Sequence, residues 1–547
     1  HVLKESPVSS RVFHSNRSVI RRLCHYPANA NQSEHFLQTQ NDSSVKLLDP
    51  VIVGVAQVSQ REDDPLVARS PLDLMVDAVS QAALDSGNPE ILKSIDSVRV
   101  VRGMWGYQNP AQCIADELDL SQIETGLTSL GGNYVQTLAN QSFLDIQSGH
   151  LDTIVLTGAE CGRTQSRARS AGLTLDWDPV SVTPGQDPIS RAEGATLPDV
   201  FIGSHRNTRH EAELQRGIRH PIQYYPLFEI ALRSASGETV SDHLQKIARL
   251  WSGFSAVAKN NPDAWIQREF SAQEIATPTE FNRPVSLPYP KLMNSNNSVD
   301  QGAALIVTSS AKAKQLGIPR DRWIYPHAST EAWDHLYVSE RDNLHSSPAI
   351  RLAAARLFDL TNLDAESFDY VDLYSCFPSA VQIAANEIGL CLDRPLTVTG
   401  GLTFAGGPWN NYVMHAIART AILLRSNPAA LALVTANGGL LTKHALCIYS
   451  GTPPQRPFTW ANLQKDVDGL YRRPIKTSHE GEATIETYTV MYENQSPSVA
   501  HAACLLDDGQ RTWANILDPD IIASMITSEF CGRSGKIDTN GHFTPYS

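Results

Sequence analysis

Two glycine pairs and a scatter of thiols are the first residues that chemistry could use. Gly131-Gly132 and Gly406-Gly407 each precede a stretch with helical periodicity. A glycine there lets a ligand approach the backbone where helix amides point outward, a place for a carbonyl oxygen or a phosphate. The plain alternative is a tight turn. The eight cysteines, at 24, 113, 161, 376, 391, 447, 504 and 531, form no C-x-x-C pair. Neither a zinc site nor a dense disulfide framework fits that spacing, so reduced packing thiols are expected. His205, His210 and His220 match no helical ligand pair, and no metal is expected. Arg206, Arg209 and Arg216 beside them could meet the phosphates of a ligand, or simply face solvent.

The elements that must hold these residues recur in a fixed order. Pro50 to Ala56 is an apolar, β-branched run that reads as a buried strand. A helix follows from Ser70, with Pro71 at its first position. Then come a strand from Ser97 to Val101, the Gly131-Gly132 turn, a helix over about 135–148 and a strand from Leu151 to Gly158. Later Ser347-Pro348 opens a helix, Phe368 to Tyr374 reads as a strand, Gly406-Gly407 precedes another helix, and Leu431 to Thr435 supplies the matching strand. Ser70 to Gly132 spans 62 residues and Ser347 to Gly407 spans 60, so two duplicated α/β halves are expected. Residues 163–290, with a helix over Ser241 to Val257, read as an excursion from the first half. Beyond Thr452-Pro-Pro-Gln-Arg-Pro457, the period-two run Ala483 to Tyr492 and the strand His501 to Leu506 suit a small β-barrel of the OB type.

The totals narrow the partners. A chain of 547 residues should hold two to four domains. Its net charge of −13 argues against a nucleic-acid partner or an anionic membrane surface. The apolar run Leu431 to Leu441 is short and broken by glycine, so no membrane span is expected. Residues 1–47 carry Arg11, Arg17, Arg21 and Arg22 among Ser, Asn and Gln. They read as a disordered extension or an organelle leader, and the compartment as cytoplasmic unless they are a leader.

The motifs then resemble those of the thiolases. Leu292-Met-Asn-Ser-Asn-Asn-Ser-Val-Asp-Gln-Gly-Ala-Ala-Leu305, with Ala311 to Gly317, is similar to the end of a thiolase first half. Tyr370-Val-Asp-Leu-Tyr-Ser-Cys-Phe377 resembles the strand and turn that carry Asn-Glu-Ala-Phe, or His-Asp-Cys-Phe in sterol-carrier-type thiolases. Gly406-Gly407-Pro408 stands at Gly-His-Pro and Ala436-Asn437-Gly438-Gly439 at Cys-x-Gly. With its extra C-terminal β domain, the chain resembles the type 1 thiolase-like proteins, often labelled acetyl-CoA acetyltransferases. The resemblance implies a duplicated thiolase fold of two βαβαβαββ halves. The first half would be 48–318 with the excursion 163–290 inside it, the second 319–450, and an OB-like domain 451–547.

It also implies coenzyme A or an acyl-CoA as ligand, with a homodimer or another acyl-CoA-processing protein as partner. The thiolase nucleophile and histidine would stand at Gly132 and Gly407, and the second cysteine at Ala436, or at Asn437 with the register shifted by one, so cysteine-based thiolysis or Claisen chemistry is not expected. Tyr374 stands at the oxyanion-hole position, as a donor or acid–base group, or else as a strand-end tyrosine bonded to backbone. His444 is the histidine nearest the expected crevice, catalytic or structural. Gly132, Asn133, Gly407, Asn437 and Gly438 are the expected ligand-binding residues. Asn410 and Asn411 are expected to cap the following helix, or else to touch the ligand.

Overall fold

The computed structural model describes residues 48–177 and 197–546. The extension 1–47 and Cys24 lie outside the described residues. In the first half, β1 (Pro50–Ser59), β2 (Ser97–Val100), β3 (Glu124–Thr128), β4 (Thr153–Cys161) and β5 (Asp300–Ser309) form one sheet in the order β1-β5-β4-β2-β3. β4 and β5 are buried along their whole length, which is why they read as unbroken small and β-branched runs. Helix α1 (Pro71–Asp85) starts where Ser70 accepts a bond from the Asp73 amide while the Asp73 carboxylate accepts one from the Ser70 amide. Such reciprocal capping contributes about 1 kcal/mol. Helix α2 (Tyr134–Gln147) follows the Gly131-Gly132 turn. A short strand, Val200–Ile202, then pairs parallel with the outer edge of β3.

The excursion contributes helices α3 (Pro221–Ser236) and α4 (Val240–Lys259), the latter two residues longer at its C-terminal end than its periodicity indicated. In the second half, β6 (Tyr325–Trp333), β7 (Tyr370–Asp372), β8 (Leu431–Gly438) and β9 (Lys443–Ser450) pair in the order β6-β9-β8-β7. Its helices are α5 (Pro348–Thr361), α6 (Pro378–Ile388) and α7 (Tyr412–Ser426).

The duplication shows in the pairing itself. β1–β5 and β6–β9 are antiparallel, β5–β4 and β9–β8 are antiparallel, and β4–β2 and β8–β7 are parallel. The halves differ at one place. Where β3 has its counterpart, around 396–399, the Asp372 carboxylate accepts bonds from the amides of Val398 and Thr399 and from the Thr397 hydroxyl. Those donors are drawn from a strand ladder into a loop, so the expected third strand is absent. On the opposite edge Thr459–Asn462 pairs parallel with β6.

The C-terminal residues form β10 (Gly481–Glu493), β11 (Ser496–Leu505), β12 (Arg511–Ile516), β13 (Ser534–Ile537) and β14 (Phe543–Pro545), antiparallel in the order β12-β11-β10-β13-β14. A bridge between Asn515 and His542 brings the two ends of this sheet together, so it curls back on itself. The alternation that marks β10 changes phase at a bulge between Ile485 and Thr487: the buried apolar set passes from Ala483 and Ile485 to Tyr488 and Val490, and Thr487 and Thr489 are buried on the other face. Ser286 of the excursion pairs with Met491, and the Thr487 hydroxyl donates to the Leu227 carbonyl at 2.7 Å.

Candidate active site

Two strand ends and one helix start meet at the junction of the halves. β7 and β8 run parallel, so the segment after β7 and the last residues of β8 emerge side by side, and the Tyr374 amide donates to the Thr435 hydroxyl at 2.9 Å. The opening of α2 comes from the first half. A β-carbon on Gly132 would stand 2.5 Å from the Tyr374 hydroxyl oxygen and 2.5 Å from the Asn437 carbonyl oxygen. A β-carbon on Gly438 would stand 2.3 Å from Asn133 Oδ1. Both glycines are therefore places of close approach, where any side chain would collide with the opposite half.

Gly132, Asn133, Tyr374, Asn437 and Gly438 are thus brought together. Tyr374, Ala436, Asn437 and His444 line one cavity of about 10 Å³, walled by Ile350, Ala380, Ala384, Ile388, Leu441 and Leu446. That is space for about one water. Gly407 is not in this lining. Its nearest neighbours are Asn297, Asn296 and Leu402, and its amide donates to the Asn296 carbonyl at 2.9 Å. Asn410 and Asn411 do not cap α7 either. Their side-chain amides donate across the junction to the carbonyls of Arg102 and Gly158, at 2.7 and 2.6 Å.

Burial sets the protonation states. It pushes the Tyr374 phenol well above its ordinary value, with Cys376 adding to the shift, and raises the Cys376 thiol to about 12. Tyr374 is therefore a neutral hydrogen-bond donor near neutral pH, and Cys376 a neutral thiol. Asn437 Nδ2 donates to the Tyr225 hydroxyl at 3.0 Å, while its Oδ1 and that of Asn133 are buried and find no partner among the described residues. A buried acceptor without a donor costs about 1–3 kcal/mol, so both are open to a donor on a bound molecule.

His444 is buried with its Nε2 3.2 Å from Asp334 Oδ2. Asp334 also accepts from the Ser347 hydroxyl and, at 3.1 Å, from the Ala349 amide at the start of α5. Burial alone would raise the Asp334 carboxyl, but His444, the Arg341 charge and Ser347 outweigh it and hold it below the usual range. Sequence reasoning missed Asp334, Tyr225 and Thr435. Asp334 reaches the site through the pairing of β6 with β9, Tyr225 through the packing of α3 on the β8 end, and Thr435 through its bond to the Tyr374 amide, and no local pattern marks them. Among the described residues no cluster of three His, Cys, Asp or Glu side chains could hold a metal, and no helix is long and apolar enough to cross a membrane.

Residues 462–542 match the thiolase-like protein type 1 additional C-terminal domain. The chain is 30% identical over 350 residues to an acetyl-CoA acetyltransferase of Methanocaldococcus jannaschii, spanning 63% of this chain and 76% of that protein. It superposes on the crystal structure of a monomeric SCP2-thiolase like protein type 1 from Mycobacterium smegmatis with a TM-score of 0.74 and 29% identity, covering 91% of this chain and 98% of that one. The Acat5 thiolase of Ascaris suum, solved in complex with coenzyme A, shares the fold at a TM-score of 0.50 and 16% identity, over 74% of this chain and 99% of that one.

Proposed function

The chain belongs to the type 1 thiolase-like proteins, and on that premise we propose that it handles acyl-CoA thioesters at the Gly132 crevice without a cysteine nucleophile. The observation that carries this reading is the Tyr374 hydroxyl, which fills the space a side chain at position 132 would need. A thiolase requires a thiolate there at a helix N-terminus. In its place stands a phenol held neutral by burial, suited to donate a hydrogen bond to a thioester carbonyl. The cavity behind Tyr374 has room for about one water, so an acyl chain would need space outside it. The coenzyme A site of a thiolase-fold relative supports the ligand class. Intact-mass measurement after incubation with acetyl-CoA or acetoacetyl-CoA tests the reading: the mass should be unchanged, and a stable acyl adduct on any cysteine would overturn it.

The neutral phenol beside Gly132 favours a second reading, a C–C lyase acting on acyl-CoA thioesters with Tyr374 as donor to the developing enolate oxygen. In that case Tyr374→Phe abolishes turnover, and unchanged turnover removes the role. A non-enzymatic acyl-CoA-binding or assembly module is the remaining alternative, and any turnover by the isolated chain counts against it. We read the compartment as cytoplasmic, which the seven unpaired cysteines among the described residues support.

A further inference from the structure

Lys443, the first residue of β9, points to the face of the sheet opposite His444, its neighbour. It is 4% exposed, and its ammonium lies 4.9 Å from the centroid of the Tyr134 ring and 4.7 Å from that of the Trp333 ring. Among the described residues no carboxylate forms an ion pair with it. Its nearest counter-charge is the ring faces, which are weak partners beside an acid. A buried cation is ordinarily paired, so this one is a cation prepared for an anion.

The acid on this face, Glu331, is already engaged by the Thr137 hydroxyl, the Asn140 amide and the Trp460 indole. Tyr134 opens the 14-residue helix α2, whose N-terminal end carries the positive pole of its dipole. The segment from Gly203 to Thr208 crosses the same place. The Tyr134 hydroxyl donates to the Ser204 carbonyl at 3.1 Å and accepts from the Ser204 amide at 3.2 Å. The Thr208 methyl carbon would lie 3.6 Å from a β-carbon on Gly439, in the turn that leads to Lys443. That segment carries exposed Arg206.

We propose that Lys443, caged between Tyr134 and Trp333 beside the segment that carries Arg206, forms a phosphate-binding site next to the Gly132 crevice. A buried ammonium beside a segment that carries a second cation matches a dianion better than a singly charged carboxylate. Lysine acts on phosphate as a point charge that needs no fork geometry, which suits an ammonium fixed between two rings. Burial, with Arg206 adding to it, pushes the Lys443 ammonium down to about 8, and a bound phosphate would restore its charge. The phosphate is either free in solution or an ester group of a nucleotide such as coenzyme A.

Thermal unfolding in sodium phosphate, against sodium chloride at equal ionic strength, tests the site. Phosphate should raise the midpoint of the wild-type chain, Lys443→Arg should keep the response, and Lys443→Met should lose it. In parallel, acylation of Lys443 in the wild-type chain by an N-hydroxysuccinimide ester, followed by peptide mass spectrometry, should slow several-fold when phosphate is added. Coenzyme A in both assays separates the sources. A coenzyme A response that Lys443→Met loses assigns the site to a phosphate ester, and one that Lys443→Met keeps belongs to the Gly132 crevice and leaves the site to free phosphate. A wild-type midpoint and labelling rate indifferent to both ligands, or a Lys443→Met midpoint that rises as the wild type does, overturns the proposal.

Discussion

The hydroxyl of Tyr374 lies against the α-carbon of Gly132, with 2.5 Å between its oxygen and the place where a β-carbon would be. The side chain of one half thus occupies the volume the other half would need for a residue at the start of α2. The contact is steric, and it is backed by the Asn437 carbonyl at the same 2.5 Å, a backbone atom that cannot rotate away.

Gly132→Cys should therefore destabilise the chain by about 2 kcal/mol, as overpacking does. Tyr374→Ala should cost less in that background than in the wild-type chain, since it relieves the clash with the ring, while the Asn437 carbonyl stays in place. Denaturant midpoints of the single and double variants check the ordering. A single variant as stable as the wild type would mean the two halves can separate at this point.

Asp334 collects the Ser347 hydroxyl, the Ala349 amide and His444 in a buried setting. Asp334→Ala leaves these groups unpaired and should cost about 3 kcal/mol, the scale for breaking a buried pair from one side. His444→Phe removes a partner without orphaning the α5 start and should cost less. Comparing the two midpoints shows whether Asp334 serves the helix first and the histidine second.

His415 is buried with its Nδ1 2.9 Å from Gln57 Oε1, and burial pushes it down to about 3. The unfolded chain takes up a proton below its ordinary value near 6.5, which the folded chain refuses until about 3. Stability contributed by the neutral ring is thus full above pH 6.5 and falls as the pH drops toward 3. Between pH 6.5 and 5 the loss is about 2 kcal/mol. His415→Gln should flatten that part of the stability profile, which unfolding midpoints at pH 7 and 5 measure.

Both half-sheets have an outer edge taken by the chain's own strands, β3 by Val200–Ile202 and β6 by Thr459–Asn462. A second copy cannot extend either sheet through those edges. Light scattering after gel filtration should give a single chain of 60.0 kDa. A species of twice that mass would place the contact on another surface.

Much of the frame could be read along the chain. The proline-capped starts at Ser70 and Ser347 and the near-equal spacing to the two glycine pairs follow from local rules of capping and period, and the matched pairing orders bear the duplication out. What could not be read was non-local. Gly407 has the same local surroundings as Gly132, yet it meets Asn296 and Asn297 because the segment before β5 runs beneath it. The strand missing around 396–399 depends on where the Asp372 carboxylate lands. Lys443 follows a glycine-rich turn like any strand opener, and only the packing of Tyr134 and Trp333 on either side makes it unusual.

Arg511 of β12 has no exposed surface, and its guanidinium donates to the carbonyls of Ser339 and Arg341 and to both Glu486 oxygens. The loop it grips runs from the end of β6, through Asp334, to the start of α5. Tension applied to the C-terminal sheet would reach the floor of the crevice through this side chain and through Trp513, whose indole donates to the Ser339 hydroxyl at 2.8 Å. The added unit is thus coupled to the junction of the halves as a lever is to its fulcrum, and displacing it would loosen the wall that His444 stands on.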